Sequence, residues 1–129
     1  MGASARALQA FGARNMAGLK IAYKDPAQLN PRPCNPRTHT AKQIKQIAAS
    51  IEQFGFVSPV LLDAKDGIIA GHGRVGAAKL LGMNDIPTVL VDHLTPAQIR
   101  AYVIADNKLA ENAGWDRELL ALELQELSV

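Results

Sequence analysis

The sequence predicts an α+β protein in which a small mixed sheet packs against helices and the C-terminal part is helical. Short apolar stretches bounded by glycine, proline or aspartate alternate with stretches whose apolar residues recur every three or four positions. A chain of 129 residues with 48% hydrophobic composition is large enough for one core. We therefore expect one domain over residues 19–129, helical from about residue 95, after a flexible N-terminal extension over residues 1–18.

The first predicted elements are a strand and a helix joined by a proline-rich loop. Leu19 to Tyr23 alternate as a short strand, and three prolines within residues 30–37 impose a stiff, extended connection. A helix then follows, with Thr40 as its cap and Gly55 as its stop. Its predicted inward face consists of Ile44, Ile47, Ala48, Ile51 and Phe54.

A hairpin and a strand–turn–helix unit come next. Residues 57–62 and 67–70 predict two strands, with a turn at Lys65-Asp66-Gly67. Residues 74–81 suit a short helix ended by Gly82, and residues 86–91 predict a further strand.

Two capped helices complete the chain. Thr95 with Pro96 begins a long helix, and Asp116 begins the last one. The expected inward residues of the first helix are Ile99, Val103, Ile104 and Leu109. The second helix carries the apolar residues Leu119, Leu120, Leu122 and Leu127, which this chain does not obviously cover. The apolar end of the chain favours contact with a second copy or with a further domain of a longer protein.

Charge and composition narrow the classes of partner. Residues 1–50 hold eight Lys and Arg against one acid, Asp25, which favours an anionic partner such as DNA, although a solvated basic surface fits equally well. No stretch suits a membrane helix or a signal peptide, so we expect a cytoplasmic protein. The single cysteine, Cys34, excludes an internal disulfide and argues against structural zinc.

Three segments carry candidate binding chemistry. Gly71-His72-Gly73-Arg74 stands between a strand and a helix, where backbone N–H groups and a forked arginine donor suit a phosphate; the alternative is a tight turn with a surface arginine. Cys34-Asn35-Pro36-Arg37 is a rigid loop that presents Asn35 and Arg37 to an anion or serves only as a connector. Asp106-Asn107 offers oxygen ligands for Mg²⁺ or is simply solvated. The scattered histidines suggest no catalytic triad.

Together these segments resemble the amino-terminal domain of ParB, in the ParB/sulfiredoxin fold family, over roughly residues 19–112. Residues 34–37 resemble the family's first box, residues 50–60 the end of its first helix and the following strand, and residues 68–78 its Gly-Glu-Arg-Arg phosphate box. Asp106-Asn107 falls where the third box has Glu-Asn. His72 and Gly73 replace the acid and first arginine of the second box, and Ala110 replaces the arginine of the third.

The resemblance implies binding of a nucleoside triphosphate, CTP or ATP, with Mg²⁺. The candidate nucleotide-binding residues are Asn35, Arg37, Gly71, His72, Gly73 and Arg74. By resemblance alone, Asn107 and Asp106 hold the metal. The sulfiredoxin reaction is disfavoured because His72 stands where its reactive cysteine would be.

The resemblance also implies a role. Residues 101–115 are similar to ParB-like domains that precede DNA methyltransferases, so we expect a nucleotide-responsive, DNA-associated module that targets or regulates a longer protein. The residues contain no methyltransferase motif and no helix-turn-helix pattern, so neither methylation nor sequence-specific DNA reading is expected of this chain. Two alternatives stay open: a small-molecule kinase or nucleoside triphosphatase of the same fold, with at most weak hydrolysis, and a protein-interaction module with a degenerate pocket.

Overall fold

A four-stranded mixed sheet forms the centre of the computed structural model, which describes residues 18–33 and 38–127. Its strands are β1 (Ile21–Lys24), β2 (Val60–Leu62), β3 (Ile68–Ala70) and β4 (Ile86–Leu90), in the order β1-β4-β2-β3. The β2–β4 pair is parallel, and the β1–β4 and β2–β3 pairs are antiparallel. The predicted small mixed sheet is therefore confirmed.

The β2–β3 hairpin turns where the sequence predicts, and the Asp63 carboxylate organises the turn. Asp63 Oδ1 accepts hydrogen bonds from the backbone N–H groups of Lys65 and Gly67, each at 2.8 Å. Asp63 Oδ2 lies 3.5 Å from Nη2 of Arg32, a residue of the segment that follows β1. This carboxylate thus ties the post-β1 segment to the hairpin.

The described part of the chain contains four α-helices, and a short 3₁₀ helix (Pro26–Gln28) follows β1. Thr40 and Thr95 each cap a helix through a capping box, in which the threonine hydroxyl and a glutamine side chain three residues later bond each other's backbone N–H groups. Both predicted caps are confirmed. The helices are α1 (Ala41–Phe54), α2 (His72–Leu80), α3 (Pro96–Asn112) and α4 (Arg117–Leu127).

Two hydrophobic clusters occupy opposite faces of the sheet, because neighbouring residues of a strand point to opposite sides. One cluster contains Leu62 and Ile68 and joins the sheet to α2; the other contains Ile69 and joins it to α3. The first cluster consists of Leu29, Val60, Leu62, Ile68, Val75, Ala78 and Ile86, and the second of Ile69, Val91, Ile99 and Val103.

Close contacts between α1 and α2 depend on glycines. A Cβ placed at Gly76 would lie 3.2 Å from Ile44 Cδ1, and one at Gly73 would lie 2.8 Å from Ile47 Cδ1. A later residue of α1 thus meets an earlier residue of α2, and the turns of α1 that follow Ile47 extend beyond the N-terminal end of α2. Phe54, in the last of these turns, is 66% exposed, which corrects its predicted inward position.

Three further expectations need correction. The helix α2 begins at His72 and not at Arg74, since Gly73 lies within its first turn. Ile104 and Leu109 are 56% and 70% exposed, because the buried stripe of α3 follows Ile99 and Val103, and steps of 100° per residue carry both side chains off it.

The last helix, α4, contributes no buried side chain to the core. Leu119, Leu122 and Leu127 of α4 are exposed, and none of the described residues of α4 is buried. Residues 1–17, most of the predicted extension, lie outside the described residues. Within the described ranges, no helix is both long and apolar enough to cross a membrane.

Candidate functional site

The junction between β3 and α2 forms the floor of the candidate site. Gly71 has φ 108° and ψ 21°, a left-handed conformation that turns the chain directly from the strand into the helix. The first N–H groups of α2 have no acceptor within their own helix, and the helix dipole adds partial positive charge at the same end. This geometry suits an anion, as the sequence predicted for residues 71–74.

Arg74 adds a fixed guanidinium beside this helix start. Its Nη2 donates to the carbonyl oxygen of Pro59 at 2.9 Å, while its buried Nε has no hydrogen-bond partner within the described part of the chain. Burial lowers the pKa of Arg74, and the nearby Asp106 carboxylate acts in the opposite direction. An arginine held by one carbonyl, with an unsatisfied donor, is suited to an additional acceptor such as a phosphate oxygen.

Asp106 and Asn107 lie across a shared cavity from residues 71–74. A cavity of about 510 Å³ is lined by residues 71–74 on one side and by Asp106 and Asn107 of α3 on the other. The Asn107 side-chain amide donates to the carbonyl of Val103 at 2.9 Å, which fixes its rotamer. The structure therefore brings together two segments that are more than 30 positions apart in the sequence.

His72 lines the cavity, but one of its ring nitrogens is already engaged. Its Nε2 accepts a hydrogen bond from the backbone N–H of Arg32 at 3.2 Å, so the neutral ring carries its proton on Nδ1. Burial lowers the pKa of His72, and the charges of Arg32 and His39 lower it further. The imidazole is thus kept neutral and anchors the segment after β1.

The predicted residues Asn35 and Arg37 lie outside the described residues, as does Cys34. Their expected contact with an anion stays a prediction. The described residues flanking this loop, Arg32 and His39, both lie beside the start of α2, through the bond to His72 and through the close approach to Gly73.

Sequence reasoning missed two residues of the cavity, His39 and Tyr102. Tyr102 precedes Asp106 by four positions, the spacing that places two side chains on one helix face, and this signal was available. Burial raises the pKa of the Tyr102 phenol, and the charge of Asp106 raises it further, so the hydroxyl stays protonated at neutral pH. His39 stands two residues after Arg37, in the loop already predicted to bind an anion.

The Asp106–Asn107 pair is compatible with a magnesium ion that arrives with a nucleotide. Among the described residues there is no group of three or more His, Cys, Asp or Glu placed to hold a metal. Mg²⁺ in nucleotide sites is commonly held by one or two protein oxygens together with phosphate oxygens and waters. One carboxylate and one amide facing the helix start meet that limited requirement.

Comparison with known sequences identifies relatives of this chain. The ParB-like nuclease domain-containing protein YnaK of Escherichia coli is 48% identical over 80 residues, which cover 62% of this chain and 92% of that protein. A probable chromosome-partitioning protein ParB of Treponema pallidum is 36% identical over 86 residues, but this chain spans 26% of its length.

Solved structures show the same fold. ParB of Caulobacter crescentus, C-terminally truncated and complexed with CTP-γ-S, matches with a TM-score of 0.71 and 23% identity over 84% of this chain and 62% of that one. Sulfiredoxin of Arabidopsis thaliana matches with a TM-score of 0.53 and 20% identity over 65% of this chain and 97% of that one. The family model of the ParB N-terminal domain matches residues 12–107. The chain therefore belongs to the ParB N-terminal domain family.

Proposed function

We propose that this domain is a nucleotide-responsive, DNA-associated module that binds a nucleoside triphosphate with Mg²⁺ in the cavity between α2 and α3. The observation that carries the proposal is the start of α2, where orphan backbone N–H groups lie at a cavity that Arg74, whose buried Nε is unsatisfied, also lines. The Caulobacter crescentus structure with CTP-γ-S shows that a protein of this fold accommodates a nucleotide. Its low identity leaves the base open, so CTP and ATP are both candidates.

In this proposal the α2 side of the cavity binds the phosphates and the α3 side binds the metal. The first turn of α2 and Arg74 hold phosphate oxygens, joined by Asn35 and Arg37 from the preceding loop. Asp106 and Asn107 would hold a magnesium ion, which would offset the negative charge of the phosphates. The metal would supply positive charge beside Arg74, whose guanidinium is set against the Asp106 carboxylate.

Calorimetric titration with CTP, ATP and GTP, each with and without Mg²⁺, tests the nucleotide proposal. The Arg74→Ala variant should bind roughly 10- to 150-fold more weakly, the equivalent of one charged hydrogen bond. Arg100→Ala is the matched control, because Arg100 is exposed on α3 and does not line the cavity. Thermal unfolding of both variants separates lost binding from the lost bond to Pro59. If the wild type binds none of the three nucleotides, the proposal is wrong.

The DNA part of the proposal concerns the basic front half of the chain. Lys42 and Lys45 are exposed on α1, three positions apart and thus on one side of the helix. One ParB structure with this fold is complexed to the centromeric parS site, at 21% identity and a TM-score of 0.52. We propose that the two lysines contact the DNA phosphate backbone without reading bases. We further propose that the domain targets or regulates a longer protein, such as a DNA methyltransferase.

Fluorescence anisotropy with a duplex of arbitrary sequence tests this contact. The double variant Lys42→Ala/Lys45→Ala should weaken binding and reduce the salt dependence by about two phosphate contacts. Lys108→Ala is the control, since Lys108 lies on α3 in an exposed ion pair with Glu111. Equal affinity and equal salt dependence in all three proteins would contradict the proposed DNA-facing surface.

A further inference from the structure

His39 occupies the space above the first turn of α2. A Cβ placed on Gly73 would lie 2.9 Å from His39 Nε2 and 3.1 Å from His39 Cδ2. Contacts under 3.0 Å require something to move, so the glycine is what lets the imidazole lie against the helix backbone. The ring is half-buried and lines the same cavity as Arg74 and Asn107.

The position of His39 is fixed by its neighbour in the chain. Thr40 is the cap of α1: its hydroxyl accepts from the N–H of Gln43 at 3.1 Å, and its own N–H donates to the Gln43 side chain at 2.9 Å. The capping box therefore orders the backbone next to His39. An ordered backbone lowers the conformational entropy that is lost when the imidazole contacts a ligand.

The two histidines of the cavity differ in their surroundings. Nε2 of His72 accepts from the backbone of Arg32, which directs this nitrogen toward the segment after β1. His39 reaches the α2 start from the side of α1, next to Gly73 and Ile47. The His39 ring and residues 72–74 line the same cavity, into which an anion accepting from the first N–H groups of α2 would be drawn.

We propose that His39 is a ligand-contacting residue of this site, which donates a hydrogen bond from its imidazole to an oxygen of the phosphate held at the start of α2. This inference rests on the proposed nucleotide site and adds a specific contact to it. The His39 ring and the Arg74 guanidinium approach the phosphate from different elements, the loop before α1 and the helix α2. Phosphate binding thereby links that loop to α2.

The first test compares nucleotide affinity in His39 variants of the full chain. His39→Ala should weaken binding by roughly tenfold, as expected for one hydrogen bond to a charged group. His39→Gln should retain most of the affinity, because the glutamine amide supplies an N–H donor. His93→Ala is the control, since His93 is exposed and lies outside the cavity.

A pair of glycine variants tests the geometry without removing the histidine. Gly73→Ala places a methyl group against His39 and Ile47, whereas Gly76→Ala places one 3.2 Å from Ile44 Cδ1 in the same helix interface. Both substitutions disturb the α1–α2 packing, but only the first displaces the His39 ring. We expect the affinity loss in Gly73→Ala to exceed that in Gly76→Ala at matched thermal stability.

Imidazole NMR signals give a readout that a purely structural role would not move. The His39 ring signals should shift during titration with the nucleotide that the wild type binds, and those of His93 should not. Unmoved His39 signals and wild-type affinity in His39→Ala, with the wild type still binding nucleotide, would overturn this inference and leave the proposed function intact. Failure of the wild type to bind any nucleotide would overturn both.

Discussion

Replacing Gly71 by alanine should destabilise the fold and the candidate site together. At φ 108° an L-residue costs about 1–2 kcal/mol more than glycine. The new Cβ would also lie 3.0 Å from Arg74 Nη2 and 3.1 Å from Val60 Cγ2, and forcing a methyl group into such a space costs about 1–3 kcal/mol. We therefore expect a loss of about 2–5 kcal/mol in the free energy of unfolding.

Gly82→Ala is the matched control for this prediction. Gly82 also has a positive φ, 70°, but a Cβ there meets nothing within 4 Å, so only the backbone cost of about 1–2 kcal/mol applies. Urea unfolding followed by circular dichroism measures both free energies, and calorimetry measures nucleotide affinity. Gly71→Ala should be the less stable variant and should also bind more weakly, because it displaces the guanidinium. Equal stability of the two variants would refute the steric reasoning.

Two more predictions concern pH and the core. The pKa of His72 is lowered in the folded state, so the unfolded chain takes up the proton first as the pH falls. The free energy of unfolding is therefore highest above the ordinary histidine pKa and decreases below it. Thermal unfolding from pH 7.5 down to pH 5 should therefore show a smaller decrease for His72→Gln than for the wild type, and parallel curves would contradict this role. Leu62 is 1% exposed, and Leu62→Ala should lower the free energy of unfolding in urea by about 2–5 kcal/mol. Leu122 is 57% exposed, and Leu122→Ala should lower it by under about 0.5 kcal/mol. Similar losses in the two variants would contradict the assigned core.

The sequence predicted those parts of the fold that depend on local chemistry. Thr40 and Thr95 cap helices through bonds to residues three positions away, and the hairpin turn at residues 65–67 depends on the nearby Asp63. The start of α2 was misplaced because Gly73 has a weak helix propensity and its reason for being there, contact with Ile47 and His39, lies in another segment.

The site was predicted less completely than the fold. The backbone chemistry of residues 71–74 is local and could be recognised, but their approach to Asp106 and Asn107 depends on how α3 packs against β3, and only the family resemblance indicated it. His39 and Tyr102 carry no motif of their own. The four-residue spacing places Tyr102 on the helix face of Asp106, but the meeting of both residues with α2 at one cavity depends on packing between distant segments.

The position of β4 between β1 and β2 has a consequence for synthesis of the chain. Strand β1 hydrogen-bonds β4 alone within the described sheet, and Thr88 donates its hydroxyl proton to the carbonyl of Ala22 across 66 residues. At ordinary translation rates β1 is synthesised roughly 3–13 s before β4. During that interval α1 and the β2–β3 hairpin can form from local contacts, whereas β1 has no strand with which to pair. Pairing of β1 with the sheet is thus a late event in the synthesis of the chain.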